Sequence, residues 1–346
     1  MQKVYVGLSG GVDSGTSAAL LKSQGYDVTG VFIKIWQPEF IECTWREDRL
    51  DAMRVCAALD IPFREIDLSE EYKRDVVDAM VADYKRGITP NPDVLCNEKI
   101  KFGAFLRWAL GEGAEMVATG HYAQIEKRGD TSVLMRGLDP AKDQSYFLYR
   151  ISSDDLACVM FPIGGMHKGD VRVMARRFGL AVAEKPDSQG LCFVGEVSMR
   201  DFLRRFISLE DGDVLDMKGT VIGAHAGAAL YTIGQRHGFA AQDSSGDARY
   251  IVAIDTTKNT LTVSSERMDA ARSETRLSNV HWIDRVPAFP FSAMVQCRYH
   301  ETPVIAEISQ KGSDIVCRFE TPHIASPGQS IVFYQDNQCM GGAVIG

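Results

Sequence analysis

No stretch of the 346-residue chain approaches the roughly 20 consecutive apolar residues that span a bilayer. A membrane helix is therefore not expected. The opening residues, MQKVYVGLSGG, hold neither an apolar signal core nor a small-residue cleavage site. A cytoplasmic protein with no membrane contact is the expectation. Cysteine is scarce: eight residues, at 43, 56, 96, 158, 192, 297, 317 and 339, with no C-x-x-C pair. That rules out a disulfide scaffold and points to a reducing compartment, and neither a zinc ribbon nor a thioredoxin motif is expected. Positive charge is also in deficit. The 38 basic residues against 46 acidic ones leave a net charge of −8, which argues against indiscriminate nucleic-acid binding but not against a local basic patch. Repeats in the roughly 20–50-residue range and low-complexity tracts are missing too. What is there is 45% hydrophobic residues, enough to exclude disorder as the main state, in a length that suggests two or three domains.

Three textures follow one another. Residues 1–206 alternate strand and helix signals: KVYVGLS, then TSAALLKSQGY with a glycine stop at Gly25, then VTGVFIKIW. The helical stretch REDRLDAMRVCAALDI predicts a buried side made of Leu50, Met53, Ala57 and Ala58. PFREIDL reads as a strand, Glu70 to about Lys85 as a helix, and MVATGHY as a further strand. Repeated strand–helix units predict an α/β fold with a parallel, doubly wound sheet. Residues 207–270 are glycine-rich short strands, with YIVAI and TLTVS flanking the turn DTTKN as a hairpin. Residues 271–346 run strand after strand, as a small barrel or sandwich would. The polar stretch from Ala241 to Ala248 reads as a surface loop.

The segment Ser9-Gly10-Gly11-Val12-Asp13-Ser14 falls between the first strand and the first helix. A parallel sheet places phosphate there, because helix N–H groups point outward and glycine lets the backbone approach oxygen. Neither the lysine of a Walker A loop nor a G-x-G-x-x-G fingerprint is present. The loop thus suits a leaving pyrophosphate better than γ-phosphoryl transfer. It resembles the loop of the pyrophosphate-loop ATP pyrophosphatases, which adenylate a carbonyl oxygen and include both amide synthetases and tRNA-modifying enzymes.

Two cysteines stand in turn-forming surroundings. Cys96 follows Asn91-Pro92-Asp93, and Cys192 follows Asp187-Ser188-Gln189-Gly190. Lys99 and Lys101 follow the first and Lys185 precedes the second, cations that favour thiolates. Cys56, Cys297 and Cys317 sit in apolar periodic segments and read as small core residues. His167, His225, His237, His281, His300 and His323 lack ligand spacing and read as structural, so no dedicated metal site is expected. Between Phe161 and Phe206, eight cations (Lys168, Arg172, Arg176, Arg177, Lys185, Arg200, Arg204 and Arg205) face five acids, a local charge of +3. Arg172 and Arg176, one helical turn apart, are expected to present a face to phosphates.

GLSGGVDS, TPNPDVLCN, ATGHYA, KDQSYFL, DSQGLCFVG, YTIGQRHG and SPGQSIVFY, in that order from Gly7 to Tyr334, together resemble the tRNA-specific 2-thiouridylases of bacteria and mitochondria. The resemblance implies three domains: a pyrophosphate-loop catalytic domain over 1–206, a small central β-rich domain over 207–270, and a C-terminal β-barrel over 271–346. It implies ATP with Mg2+, and 2-thiouridine at the wobble position of the tRNAs for Lys, Glu and Gln. A persulfide sulfur donor, such as a cysteine desulfurase or a sulfur relay protein, is implied as partner. Gly7, Leu8, Ser9, Gly10, Gly11, Val12, Asp13 and Ser14 would hold the ATP phosphates, with Ile33 and Gly120 by the nucleotide. Asn91, Pro92 and Asp93 would meet the flipped target base. His121, Lys142, Asp143, Gln144, Arg298, Tyr299 and Gln329 would contact tRNA. Cys192 matches the persulfide carrier and Cys96 its partner, with Asp93 moving protons. An iron–sulfur cluster held by Asp93, Cys96 and Cys192 is the alternative to a persulfide. This chain departs from the family pattern at Ile33, where many relatives have Met, and most over Gln37–Trp45. In AMVQCRYH, period-two alternation with Val295 and Cys297 inward predicts that Arg298 faces out, toward tRNA.

Overall fold

The computed structural model describes residues 1–40, 45–187, 198–241 and 248–346. Seven strands fall in the first unit: β1 (Lys3–Leu8), β2 (Asp27–Lys34), β3 (Phe63–Asp67), β4 (Met116–Ala118), β5 (Ala123–Arg128), β6 (Thr131–Arg136) and β7 (Val159–Met160). Five of them pair in parallel in the order β3-β2-β1-β4-β7. Apolar residues fill both faces of β1 because helices cover both. Val4, Val6 and Leu8 point to a core shared with α1 (Val12–Ser23) and α2 (Trp45–Leu59), whereas Tyr5 points to the opposite core with Ile100, Phe102 and Phe105 of the helical run 92–111.

The buried side of α2 is not the expected one. Leu50 and Met53 are 47% and 38% exposed, while Ala52, Val55 and Cys56 are buried. The reason lies on β2. A Cβ placed on Gly30 would lie 2.4 Å from Cys56 Sγ and 2.7 Å from Leu8 Cδ1. The helix therefore comes so close to the sheet that only small residues fit on its inner face.

The hairpin β5–β6 has no counterpart in the expected element order. It turns at Gly129-Asp130, with Gly129 at φ +62°, a glycine-led two-residue loop of the kind that joins hairpin strands. Its second strand pairs with the barrel, Gln338 opposite Met135 and Cys339 opposite Leu134. The first unit and the barrel thus share one sheet.

The middle segment forms a separate sheet from β8 (Gly212–Leu215), β9 (Val221–His225), β10 (Ala240–Ala241), β11 (Tyr250–Asp255) and β12 (Thr260–Ser264), in the order β10-β9-β8-β12-β11. The expected β11–β12 hairpin is present, with Asn259 at φ +54° in its turn. Residues 242–247 of the expected surface loop lie outside the described residues. The last unit comprises β13 (Arg272–Trp282), β14 (Phe291–Gln296), β15 (Val304–Lys311), β16 (Asp314–His323), β17 (Ser330–Gln335) and β18 (Gln338–Ile345). They pair antiparallel in the order β13-β16-β15-β14-β17-β18, and β13 pairs with β18. The six strands close into a barrel, which leaves no free edge among them. Val295, Ile308, Cys317 and Phe333 fill its interior. Among the described residues no helix is long and apolar enough to cross a membrane.

Candidate active site at the end of the parallel sheet

β1 ends at Leu8 and the chain turns through Ser9-Gly10-Gly11 into α1. Gly10 is required there: its φ is +73°, and a Cβ would fall 2.3 Å from the Asp48 carbonyl oxygen. Gly11 is the N-cap and offers no side-chain hydrogen bond, so no side chain of the cap covers the first amides of α1. Uncapped N–H groups at a helix start are an anion site. Ser14 braces the loop from within. Its Oγ accepts from the Ser9 N–H at 3.2 Å and donates to the Gly11 carbonyl at 3.3 Å. Gly120 presses on the same loop, since a Cβ there would lie 2.6 Å from the Ser14 nitrogen. Gly7 backs onto Ile33, whose Cδ1 would be 3.6 Å from a Cβ at Gly7. The side chains of Leu8 and Val12 go into the core, so these two residues offer the loop only their backbone.

Cations surround the loop. Lys168 Nζ lies 2.7 Å and 2.9 Å from the two Asp13 carboxylate oxygens and 2.9 Å from Asp187 Oδ1. Tyr122 donates its hydroxyl to Asp13 Oδ1 at 2.8 Å. Lys185 Nζ donates to the Gly10 carbonyl at 3.1 Å and to Asp48 and Asp51 at 2.8 Å and 2.7 Å. A helix start with no side-chain cap, a cradle that a Cβ would fill, and two flanking ammonium groups fit a polyphosphate.

Within the basic stretch 161–206, Arg172 and Arg176 also have partners inside the protein. Arg172 donates to the Ala183 and Lys185 carbonyls and to Asp187, and Arg176 pairs with Glu184. These cations brace the segment itself and the loop beside it. Burial alone would raise the Asp187 carboxyl, but hydrogen bonds from Lys142 and Lys168 outweigh it and hold the pKa at about 2. Asp187 is the last described residue before Cys192, which, like Cys43, lies outside the described residues. Sequence reasoning counted Lys168 only as charge and did not single out Tyr122. A lysine opening a helix (Lys168–Arg177) just after β7 was the available signal.

Asp93 and Cys96 stand on one short helical run. Asn91 caps it, its Oδ1 accepting from the Val94 N–H at 3.4 Å, and Pro92 opens it, the position where a missing N–H costs nothing. Cys96 begins a π-helical stretch, Cys96–Phe105, and is half-buried. Asp93 is exposed as a residue, with protein packed around its carboxyl end. Burial of the carboxyl raises its pKa, and the Lys101 ammonium opposes that rise. Lys101 also reaches His121, with Nζ 3.3 Å from Nε2. An ammonium can only donate, so Nε2 is the acceptor. Nδ1 then carries the proton, which it donates to Thr119 Oγ1 at 2.7 Å. Burial between Phe102 and Phe161, with Lys101 adding, holds His121 well below the ordinary imidazole value. The residue expected to face tRNA is 7% exposed and neutral.

Of the remaining expected contacts, Lys142, Asp143 and Gln144 are engaged within the first unit, and Arg298, Tyr299 and Gln329 reach across units. Asp143 is buried and accepts from Arg136, Gly137 N–H, and both the N–H and the hydroxyl of Ser145. Gln144 Oε1 accepts from the Tyr122 N–H, and Lys142 Nζ donates to Asp187. Tyr299 packs on Phe147, ring centroids 4.4 Å apart. Burial pushes its hydroxyl up to about 12, with the Asp143 and Asp93 carboxylates adding. Gln329 Nε2 donates to the carbonyls of Thr89 and Pro90 at 2.9 Å and 3.4 Å. Arg298 does not face out as alternation predicted. β14 ends at Gln296, which is itself buried, and the Arg298 guanidinium donates to the Ile233 carbonyl and to Ser326 Oγ. It ties the barrel to the middle domain.

Comparison with known proteins bears on this arrangement. Residues 2–196 match the family model described as tRNA methyl transferase HUP domain, 200–265 the tRNA methyl transferase PRC-barrel domain, and 272–345 the aminomethyltransferase beta-barrel domain. The chain is 42% identical to tRNA-specific 2-thiouridylase MnmA 2 of Geobacillus kaustophilus, over 99% of this chain and 94% of that one. It is 42% identical to tRNA-specific 2-thiouridylase MnmA of Histophilus somni, over 99% and 93%. A solved U34-tRNA thiolase of Methanococcus maripaludis overlaps 60% of this chain and 64% of its own at 19% identity and a TM-score of 0.38, too loose to add to the assignment. Matched from end to end by such relatives, and carrying the SGGVDS loop in the geometry described, this chain belongs to the tRNA-specific 2-thiouridylase family.

Proposed function

We propose that this chain uses ATP to activate the C2 carbonyl of the wobble uridine in the tRNAs for Lys, Glu and Gln, and replaces that oxygen with sulfur. One observation carries the reading. Contacts run from the phosphate loop toward the proton-handling residue, Ser14 against Gly120 and His121 against Lys101, and the charge of Lys101 acts on the Asp93 carboxyl.

A uracil C2 oxygen is a poor leaving group. Attack of O2 on the α-phosphorus of ATP expels pyrophosphate, which Gly7 to Ser14 receive at the start of α1, and turns O2 into part of an AMP leaving group. Mg2+ accompanies the phosphates, and Ile33 and Gly120 flank the nucleotide. The uracil loses its N3 proton as O2 is adenylated, and Asp93, its pKa raised by burial, takes it. A flipped base needs a pocket with polar edges, and Asn91, Pro92 and Asp93 form its wall. Gln329 holds that wall through Thr89 and Pro90, and Tyr299 closes it from the barrel. His121, Lys142, Asp143, Gln144 and Arg298 would support the tRNA around this pocket. The terminal sulfur of a Cys192 persulfide attacks C2 and AMP departs. The Cys96 thiolate then attacks Cys192 Sγ, giving a Cys96–Cys192 disulfide and the thiocarbonyl, while N3 regains its proton. A thiol reductant restores the pair, and a desulfurase or relay protein reloads Cys192. Residues 1–206 act as the catalytic domain, 207–270 as the central domain and 271–346 as the tRNA-contacting barrel.

Incubation with ATP, tRNA and a persulfide donor, followed by nucleoside mass analysis, is expected to give one 2-thiouridine per AMP released. AMP formation with ammonia or a small acid in place of tRNA would instead make the chain an amide synthetase. Anaerobically purified protein is expected to be colourless. A visible absorption band lost in Cys96→Ser would replace the persulfide with a cluster on Asp93, Cys96 and Cys192.

A further inference from the structure

We propose that the barrel holds a zinc ion on Cys297, Glu301 and His323. Spacing along the chain gave no hint of this set, and His323 read as structural. The fold brings the three together at one rim: Cys297 directly follows β14, Glu301 lies in the turn to β15, and His323 is the last residue of β16. One ligand atom from each lies within 4.8 Å of the others. Tetrahedral zinc, with bonds of about 2.0–2.3 Å, sets its ligands about 3.3–3.8 Å apart. Closing the set therefore needs side-chain shifts of about 1 Å.

His323 supplies the second observation. Its buried Nε2 lies 3.0 Å from Glu301 Oε1, so the imidazole and the carboxylate already turn their ligand atoms toward one another. The other carboxylate oxygen, Oε2, is fixed by the Cys297 N–H at 3.1 Å. Phe319 flanks the imidazole at 5.4 Å. The nearest cation does not compete, because the Arg298 guanidinium is turned to the Ile233 carbonyl and Ser326.

One thiolate, one imidazole and one carboxylate suit zinc rather than the hard cations Mg2+ or Ca2+, which favour oxygen. Glu301 also lines an open cleft of about 730 Å³ together with Tyr299 and His300. Binding converts the Cys297 thiol to a zinc-bound thiolate and releases one proton. The ion would pin the turn that carries Arg298 and Tyr299.

The test uses the full chain, reduced with a phosphine, loaded with zinc or cobalt(II) and freed of excess metal. Elemental analysis is expected to find one zinc per chain. Cys297→Ser and His323→Gln are each expected to weaken binding at least about tenfold. Cobalt is expected to give a sulfur-to-metal charge-transfer band that survives in the Cys96→Ser/Cys192→Ser double variant and is lost in Cys297→Ser. Zinc is also expected to raise the Tm of the wild-type chain but not that of His323→Gln. A wild-type chain that retains no metal would overturn the site whatever the folding of the variants. So would a cobalt band that follows Cys96 and Cys192.

Discussion

In the first unit, the residues proposed to hold the nucleotide stand just beyond strand ends, Ser9 to Ser14 after β1 and Gly120 after β4, while Asp93 and Cys96 stand on a helical run. In the barrel, strand residues such as Val295, Ile308 and Phe333 turn inward to a closed core, and the reaching groups, Tyr299 and Gln329, come from turns. A parallel sheet leaves helix starts and strand ends open at one edge, so it can carry a reaction. A closed barrel has spent its strands on packing and acts through what its turns touch. Cysteine shows the same contrast. Burial pushes the thiol of Cys56 up to about 11 and those of Cys317 and Cys339 up to about 12, whereas Cys96 stands half-buried on the helix that carries Asp93.

The strongest way to break this contrast is to remove sulfur from each kind of place. Cys96→Ser and Cys192→Ser are each expected to abolish tRNA thiolation. Cys56→Ala and Cys317→Ala should keep the chemistry and lose about 0.5–3 kcal/mol of stability. Thiolation near the wild-type rate by either serine variant would remove the distinction. Next in size, Asp13→Ala or Ser14→Ala should slow tRNA-dependent pyrophosphate release about 10²–10³-fold, as loss of a preorganised group does, with tRNA affinity kept. Unchanged release would move the phosphate site elsewhere.

The barrel's reach can be measured at Gln329. Gln329→Ala removes the hydrogen bonds to Thr89 and Pro90, at about 0.5–1.5 kcal/mol, so kcat/KM for tRNA should fall about 2- to 13-fold. The KM for ATP should not move. If both parameters stay put, the barrel does not hold the loop. Arg298→Ala is expected to lower the Tm by a few degrees and leave the salt dependence of tRNA affinity unchanged. A slope reduced by about one unit would show the guanidinium on a phosphate instead. The smallest effect concerns acid. The folded pKa of Asp187, about 2, lies below the ordinary carboxylate value of 3.8. Its contribution to stability is therefore complete above that value and is lost as pH falls toward 2. Asp187→Asn should flatten the fall in Tm between pH 4 and 2; an identical fall would mean that Lys142, Lys168 and Arg172 do not hold it.

What was legible in the sequence was local. The glycine pattern of residues 9–14 and its place after a strand describe a helix start whatever surrounds it. The asparagine–proline opening ahead of Asp93 is local in the same sense. What was not legible depended on partners distant in the chain. The buried side of α2 was decided by Gly30 on a neighbouring strand, and the outward alternation expected of Arg298 ended with β14 at Gln296. The cations between 161 and 206 looked like a free patch because Asp13, Asp48 and Asp51, which engage Lys168 and Lys185, lie more than a hundred residues upstream. His323 was dismissed on spacing for the same reason. The β5–β6 hairpin is the exception: Gly129-Asp130 was a local signal and was passed over.

The most direct test is a single turnover. Protein carrying a labelled terminal sulfur on Cys192 is mixed with ATP and tRNA without reductant, and RNA and peptides are analysed together. The account predicts labelled 2-thiouridine, one AMP for each, and an equal amount of Cys96–Cys192 disulfide. Labelled 2-thiouridine formed with both cysteines still reduced would contradict it.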